Sequence, residues 1–157
     1  MCDMIFGIDV AMRRIAIAEI TQPRVEVYDL KKPIDRGQEL RDMGFWLSEL
    51  VPWLQGGRVY LEAAVVAGAR NIQSTIKVAQ TIGAVMTVVP GVQQVAISSW
   101  KMTTVGNGNA SKDQVRAWLD LTHPDLALLC DGNQDLYDAT CIALHGQSLA
   151  ALRPALV

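Results

Sequence analysis

The sequence predicts an α/β fold: a mixed five-stranded sheet, its first three strands antiparallel, with helices on both faces. Three observations carry this expectation. Apolar runs of strand length open the chain, and the connections between them are too short for a crossover. The hydrophobic period then changes from two to the helical repeat and back again. The last third reads as loop and helix. The expected order is βββαβαβαα, and a meander followed by βα units favours a mixed sheet covered on both sides.

Each element has its own signal. IFGIDVAMRRIAIAEIT gives strands over 4–10 and 14–21, joined by a short turn. RVEVYDL, 24–30, alternates as a third strand. Over 36–55, Leu40, Met43, Leu47, Leu50 and Leu54 recur at helical spacing, and Gly56-Gly57 ends the run. RVYLEAAVV, 58–66, is the fourth strand. A second helix is expected over about 70–88, with Ile72, Ile76, Ala79, Gly83 and Met86 on one face. QVAISS, 94–99, reads as the fifth strand. VGNGNA, 105–110, is rich in glycine and asparagine and is expected to be a mobile loop. Ser111 and Gln114 make a capping box at the start of SKDQVRAWLDLT, which stops before His123-Pro124. A last helix covers about 134–151, opened by Asn133 or Asp131.

Length and composition bound the function. The 157 residues suit one domain, 1–157, with a sizeable core. Half the residues are hydrophobic and 19% are charged, as in soluble globular proteins. The most apolar stretch is interrupted by Pro90, Gly91, Gln93 and Gln94, so no membrane span is expected. Asp3 stands where a signal peptide would carry basic residues. Three cysteines without CxxC spacing argue against a disulfide framework or a zinc site and suit a reducing cytoplasm. A net charge of −2 does not advertise a nucleic-acid binder, unless several carboxylates hold cations.

Four carboxylates stand out by context. Asp9 ends the first apolar strand, and Glu62 lies inside the fourth. Asp135 and Asp138 share one face at the start of the last helix, where the helix terminus favours negative charge. Each has a plain alternative. Asp9 suits a turn cap, Glu62 a buried pair with Arg13 or Arg14, and the last two an ordinary acidic first turn like Asp125 and Asp131. If the first and fourth strands are neighbours and the last helix crosses them, all four converge. Such a cluster repels itself unless cations fill it, and hard divalent ions with oxygen ligands, Mg²⁺ by default, are the natural partners. Two such ions roughly 4 Å apart hydrolyse phosphodiesters.

VGNGNASKDQV supplies a second feature. Gly106 and Gly108 let backbone approach a phosphate, Lys101 and Lys112 flank the loop, and a helix N-terminus follows. The alternative is a flexible connector with solvated lysines. No GxxxxGKS/T motif is present, and no Ser/His/Asp or Cys/His site stands out. Trp100 reads as core, with stacking on a base or ribose as its alternative. His145 reads as structural, with reach to the acidic site as its alternative. Arg13 and Arg14 read as solvated turn residues.

In this order the motifs resemble the RuvC family of Holliday-junction resolvases, in the RNase H-like superfamily, over nearly the whole chain. IFGIDVAMRRIAIAEI looks like the family's first hairpin, with Asp9 as first metal ligand. VYLEAAVV matches the strand bearing the catalytic glutamate, Glu62. SWKMTTVGNGNASKDQV is similar to the segment of lysine, glycine loop and lysine-led helix, and is the most specific match. DLYDATCIALHG resembles the final acidic helix, which makes Asp135 and Asp138 the last ligands.

The resemblance implies an RNase H-like fold and a metal-dependent endodeoxyribonuclease cutting four-way junctions and other branched DNA. Paired nicks would leave 5′-phosphate and 3′-hydroxyl ends. It implies two Mg²⁺ or Mn²⁺ per subunit, held by Asp9, Glu62, Asp135 and Asp138, and no organic cofactor. Lys112 would stabilise charge at the scissile phosphate. Lys101 and the turn of Gly106, Asn107, Gly108 and Asn109 would contact DNA. It also implies a homodimer through the helix at about 70–88, where Ala79 and Gly83 permit close approach. Setting the four ligands aside leaves 12 acidic against 14 basic residues, or +2 per subunit.

Relatives usually carry glycine where Ala11 stands, and often an aromatic residue in place of Val65. The segment from Glu62 to Asn71 is slightly longer than usual. These departures fit a compact member of bacteriophage type, which would work in the host cytoplasm. Alternative readings are a non-catalytic RNase H-like module that binds branched DNA, and an RNase H acting on RNA–DNA hybrids.

Overall fold

The computed structural model describes residues 3–29, 35–65 and 72–152, without the side chains of Arg36 and Leu40. The strands are β1 Ile5–Ala11, β2 Arg14–Glu19, β3 Arg24–Asp29, β4 Arg58–Glu62 and β5 Gln93–Val95. The helices are α1 Arg36–Leu54, α2 Ile72–Val88, α3 Ile97–Val105, α4 Lys112–Thr122, α5 Pro124–Cys130 and α6 Gln134–Leu152. The expected mixed sheet is present, in the order β3-β2-β1-β4-β5. The first three strands pair antiparallel, and β1, β4 and β5 pair parallel.

Period-two alternation sends each strand's side chains to opposite faces. Phe6, Ile8, Val10, Ile15, Ile17, Val59 and Leu61 face one way and pack on Trp46, Leu50 and Leu54 of α1 and Ile82 and Val85 of α2. Ile5, Ala16, Ala18 and Tyr60 face the other way, towards α6 and the buried Trp100, Val115 and Leu119. Trp46 and Trp53 are packing residues, and the Trp53 ring meets Phe6 edge-on at 5.5 Å.

The α6 face of the sheet is built small. A Cβ on Gly7 would run into the backbone oxygen of Ala139 and the backbone nitrogen of Ala143, closer than real Cβ atoms come. Gly146 stands in the same relation to the Tyr60 ring. Ala16 and Ala18 on β2 extend this shallow seat. The helix therefore lies directly on β1 and β4.

Three boundaries differ from the sequence expectation. The fourth strand ends at Glu62 rather than at 66, a position outside the described residues. The fifth strand holds three residues, because its parallel ladder to β4 stops at Val95. Ala96 then accepts from the backbone of Ser99 and Trp100, so Ile97–Val105 is helix and not strand. Short apolar runs suit either period, and here the lost ladder decided. The unexpected α5 opens on Pro124, whose missing N–H costs nothing at a first helical position.

The turn at 106–110 is hydrogen-bonded within itself and to α3. Gly106 takes the left-handed conformation (φ 80°) that ends α3. Asn107 accepts from the backbone of Asn109 at 3.0 Å and of Ala110 at 2.9 Å. In α2, Thr81, Ile82 and Val85 are buried. The face that carries Ile72, Ile76, Ala79, Gly83 and Met86 is exposed. No helix among the described residues is long and apolar enough to cross a membrane.

The close seat of α6 makes a prediction. Gly7→Ala should lower stability by about 1–3 kcal/mol or more, the usual cost of overpacking. Gly44→Ala, at an exposed α1 position with nothing within 4 Å, should be neutral or slightly stabilising. Urea unfolding of the two variants measures the contrast.

Candidate metal centre

The sheet register brings the first two carboxylates together. Ile8 and Leu61 are the last partners of the parallel β1–β4 ladder, and Asp9 and Glu62 follow them directly.

Alternation turns both towards α6, the side of Gly7 and Tyr60. Because α6 lies on β1, its first turn delivers Asp135 and Asp138 to the same end of the sheet. Asn133, not Asp131, opens the helix: its side chain accepts from the Asp135 backbone at 3.0 Å. Asp131 instead takes the left-handed conformation (φ 45°) at the end of α5.

The electrostatics record this convergence. Burial pushes Asp9 well above the usual carboxylate range, and Glu62, Asp138 and Asp135 push it further; Lys112 pulls it back. Burial also raises Glu62, with Asp138 adding to it, while a hydrogen bond from Trp100 and the charge of Lys101 oppose the shift. Asp138 is raised by burial and then by Asp135, against a Gln134 hydrogen bond, Lys112 and Lys101. Four carboxylates and two lysines thus act on one another.

Polar neighbours hold three of the four carboxylates. Trp100 Nε1 donates to Glu62 Oε2 at 2.8 Å. Gln134 Nε2 donates to Asp138 Oδ1 at 3.0 Å. Arg14 spans two acids, with Nε to Asp29 at 2.6 Å and Nη1 to Asp135 at 3.0 Å. Arg14 is thus not simply a solvated turn residue, and its partner is Asp135 rather than Glu62. His145 is buried, and its pKa is lowered by burial alone, with no pull from the carboxylates.

The lysines sit on two helices. Lys101 in α3 donates from Nζ to the Ala110 carbonyl at 2.7 Å, which ties α3 to the far end of the turn. Lys112 opens α4, and the Ser111–Gln114 capping box is complete there. Gly106, Asn107 and Asn109 are exposed in the turn, and Gly108 packs its Cα side against Ser98 of α3. A cavity of about 490 Å³ adjoins Glu62, bordered by Val10, Met12, Val65 and Ile97.

The donor set is all oxygen and strongly anionic, which fits a hard divalent cation. Among the described residues, no three such side chains already stand close enough to hold a metal ion. The parts that sequence reasoning missed are the donors from Trp100, Arg14 and Gln134. Only Trp100 left a signal: a buried indole needs an acceptor for its N–H, and an acidic strand was near in the order of elements.

No family model matches the chain, and no curated protein matches it by sequence. RuvC from Thermus thermophilus superposes with a TM-score of 0.70, over 95% of this chain and 96% of that one, at 20% identity. The fold is RuvC-like. The T. thermophilus RuvC structure in complex with a Holliday junction substrate matches with a TM-score of 0.65 at 17% identity, covering 96% of each chain. Identity this low speaks for the shared RuvC-like fold alone.

The raised carboxylates set the pH dependence of the cation-free protein. A folded pKa above the unfolded one means that the native state binds the extra proton in between, so stability falls as pH rises through that window. Stability in chelator should therefore decline from about pH 4 upward. Asp9→Asn should flatten this decline and raise stability at neutral pH, as read by thermal unfolding between pH 4 and 8.

Proposed function

We propose that this chain is a divalent-metal-dependent endonuclease for branched DNA, of the Holliday-junction-resolving type. One observation carries the reading: Asp9 and Glu62 both lie just past the last pairing of the parallel β1–β4 ladder, where α6 presents Asp135 and Asp138. The RuvC-like fold supports it, as does the complex of T. thermophilus RuvC with a Holliday junction substrate.

In this reading Asp9, Glu62, Asp135 and Asp138 hold one or two Mg²⁺ or Mn²⁺ ions. Bound there, such ions supply an activated water and stabilise the leaving oxygen of a phosphodiester. The protein's own groups do the rest. Lys112, which already acts on Asp9 and Asp138, balances charge at the phosphate to be cut. Lys101 braces the turn through Ala110 and offers its remaining N–H donors to DNA backbone. The exposed turn of Gly106, Asn107, Gly108 and Asn109 carries the strand past the site. The exposed α2 face, with Ile72 at 47% and Ile76 at 49% exposure, forms the homodimer contact. Each subunit then cuts one strand, leaving 5′-phosphate and 3′-hydroxyl ends.

The ion pair from Arg14 to Asp135 favours a second reading. A guanidinium can neutralise part of the cluster in place of a cation, as a binding module without catalysis would require.

A panel of branched DNAs with Mg²⁺ or Mn²⁺, with products mapped on both strands, decides between the two. Glu62→Gln and Asp138→Asn should each lower cutting by more than about a hundredfold, the upper end of the loss from disturbing a metal's supporting groups. Junction binding should survive both changes. Binding with no cutting under either cation would establish the second reading instead. Ala79→Arg should turn the dimer into a monomer in sedimentation, with unchanged helical content.

A further inference from the structure

The Trp100–Glu62 contact is specific in a way that core packing does not require. Trp100 is 1% exposed, so its indole N–H has no water to turn to. It meets Glu62 Oε2 at 2.8 Å, and Glu62 accepts no other hydrogen bond among the described residues. The ring is placed by short-range structure on both sides. Val95 pairs with Glu62 across the β4–β5 ladder, and α3 begins two residues later. Within α3, the Trp100 backbone nitrogen donates to Ala96, and its carbonyl accepts from the Thr104 hydroxyl at 2.8 Å.

The chemistry of the donor matters. A guanidinium or ammonium on Glu62 would cancel the charge that attracts a cation, as Arg14 does on Asp135. A neutral N–H orients a carboxylate without cancelling its charge, and it can engage only one of the two oxygens. Gln134 holds Asp138 in the same way, through one oxygen and a neutral donor. Groups that support ligands in this manner commonly fix ligand orientation at metal sites.

We propose that Trp100 is a positioning residue: its indole N–H fixes Glu62 through Oε2 and presents Oε1 to a divalent cation in the cluster. The inference rests on the cation-binding reading of the four carboxylates. It adds a role for a residue that touches neither the cation nor DNA.

The test is a binding cycle on the full chain with Mg²⁺ alone, by calorimetry, in the unaltered protein, Trp100→Phe, Glu62→Gln and the double variant. Phenylalanine fills most of the site and lacks the N–H. Trp100→Phe should weaken Mg²⁺ binding at least tenfold, in line with the usual loss of a supporting donor. Glu62→Gln should weaken it further, and adding Trp100→Phe should then change nothing. Equal affinity in Trp100→Phe and the unaltered protein overturns the proposal. So does a Trp100→Phe loss that persists in full on the Glu62→Gln background, since that loss would not pass through Glu62. Absence of Mg²⁺ binding in the unaltered protein is a separate failure, of the metal-centre reading itself. A second measurement needs no change at Trp100. The Trp100 indole N–H signal, assigned by NMR, should move on Mg²⁺ addition and in Glu62→Gln. A signal indifferent to both overturns the positioning role.

Discussion

The contact on which the rest depends is the seat of α6 on β1. Gly7 removes the one side chain that would hold the helix off, and Ala139, Ala143 and Gly146 remove those on the other side. Larger residues would still give a buried helix, because the hydrophobic gain is not directional. They would give it one layer further out, and the acidic first turn would then miss the ends of β1 and β4. The small residues trade apolar area for position.

That position has an electrostatic cost. Asp9, Glu62 and Asp138 are each held in surroundings that disfavour their charge, and at each a neighbouring carboxylate adds to the cost. Folding normally avoids such groupings. The surrounding fold tolerates this one because the strain is spread. Lys101 and Lys112 act at a distance, Arg14 takes Asp135, and neutral donors settle Glu62 and Asp138. The carboxylates remain disfavoured in their charged form, and these neighbours offset only part of that cost.

Much of this was legible in the sequence, for physical reasons. Apolar runs of strand length, IFGIDVA and RIAIAE, mark two strands that the structure buries on both faces, with Asp9 the single charged residue inside the first. The Ser111–Gln114 box marks a helix start to the residue. The limits were equally physical. ISSWKMTTV is apolar enough for either period, and only the length of the β5 ladder makes it helix. The glycine-rich turn looked mobile because its hydrogen bonds run to Asn107 and Lys101, contacts that composition does not reveal. Arg14 and Trp100 found their partners across 121 and 38 positions of chain, beyond any local pattern. Local code specified most of the elements; distance in sequence hid the pairings.

The cap of α4 carries a consequence of its own. Ser111 and Gln114 are exposed, and each side chain accepts from the other's backbone N–H. Yet they decide where α4 begins, and so in which direction its first residue, Lys112, projects. The bearing of that lysine on Asp9 and Asp138 is thus set by a reciprocal bond on the outer surface. A scan of surface positions would meet two unremarkable polar residues here, whose loss should read as a fault in the charged interior. The helix start works as a sighting device, and the thing it aims is charge.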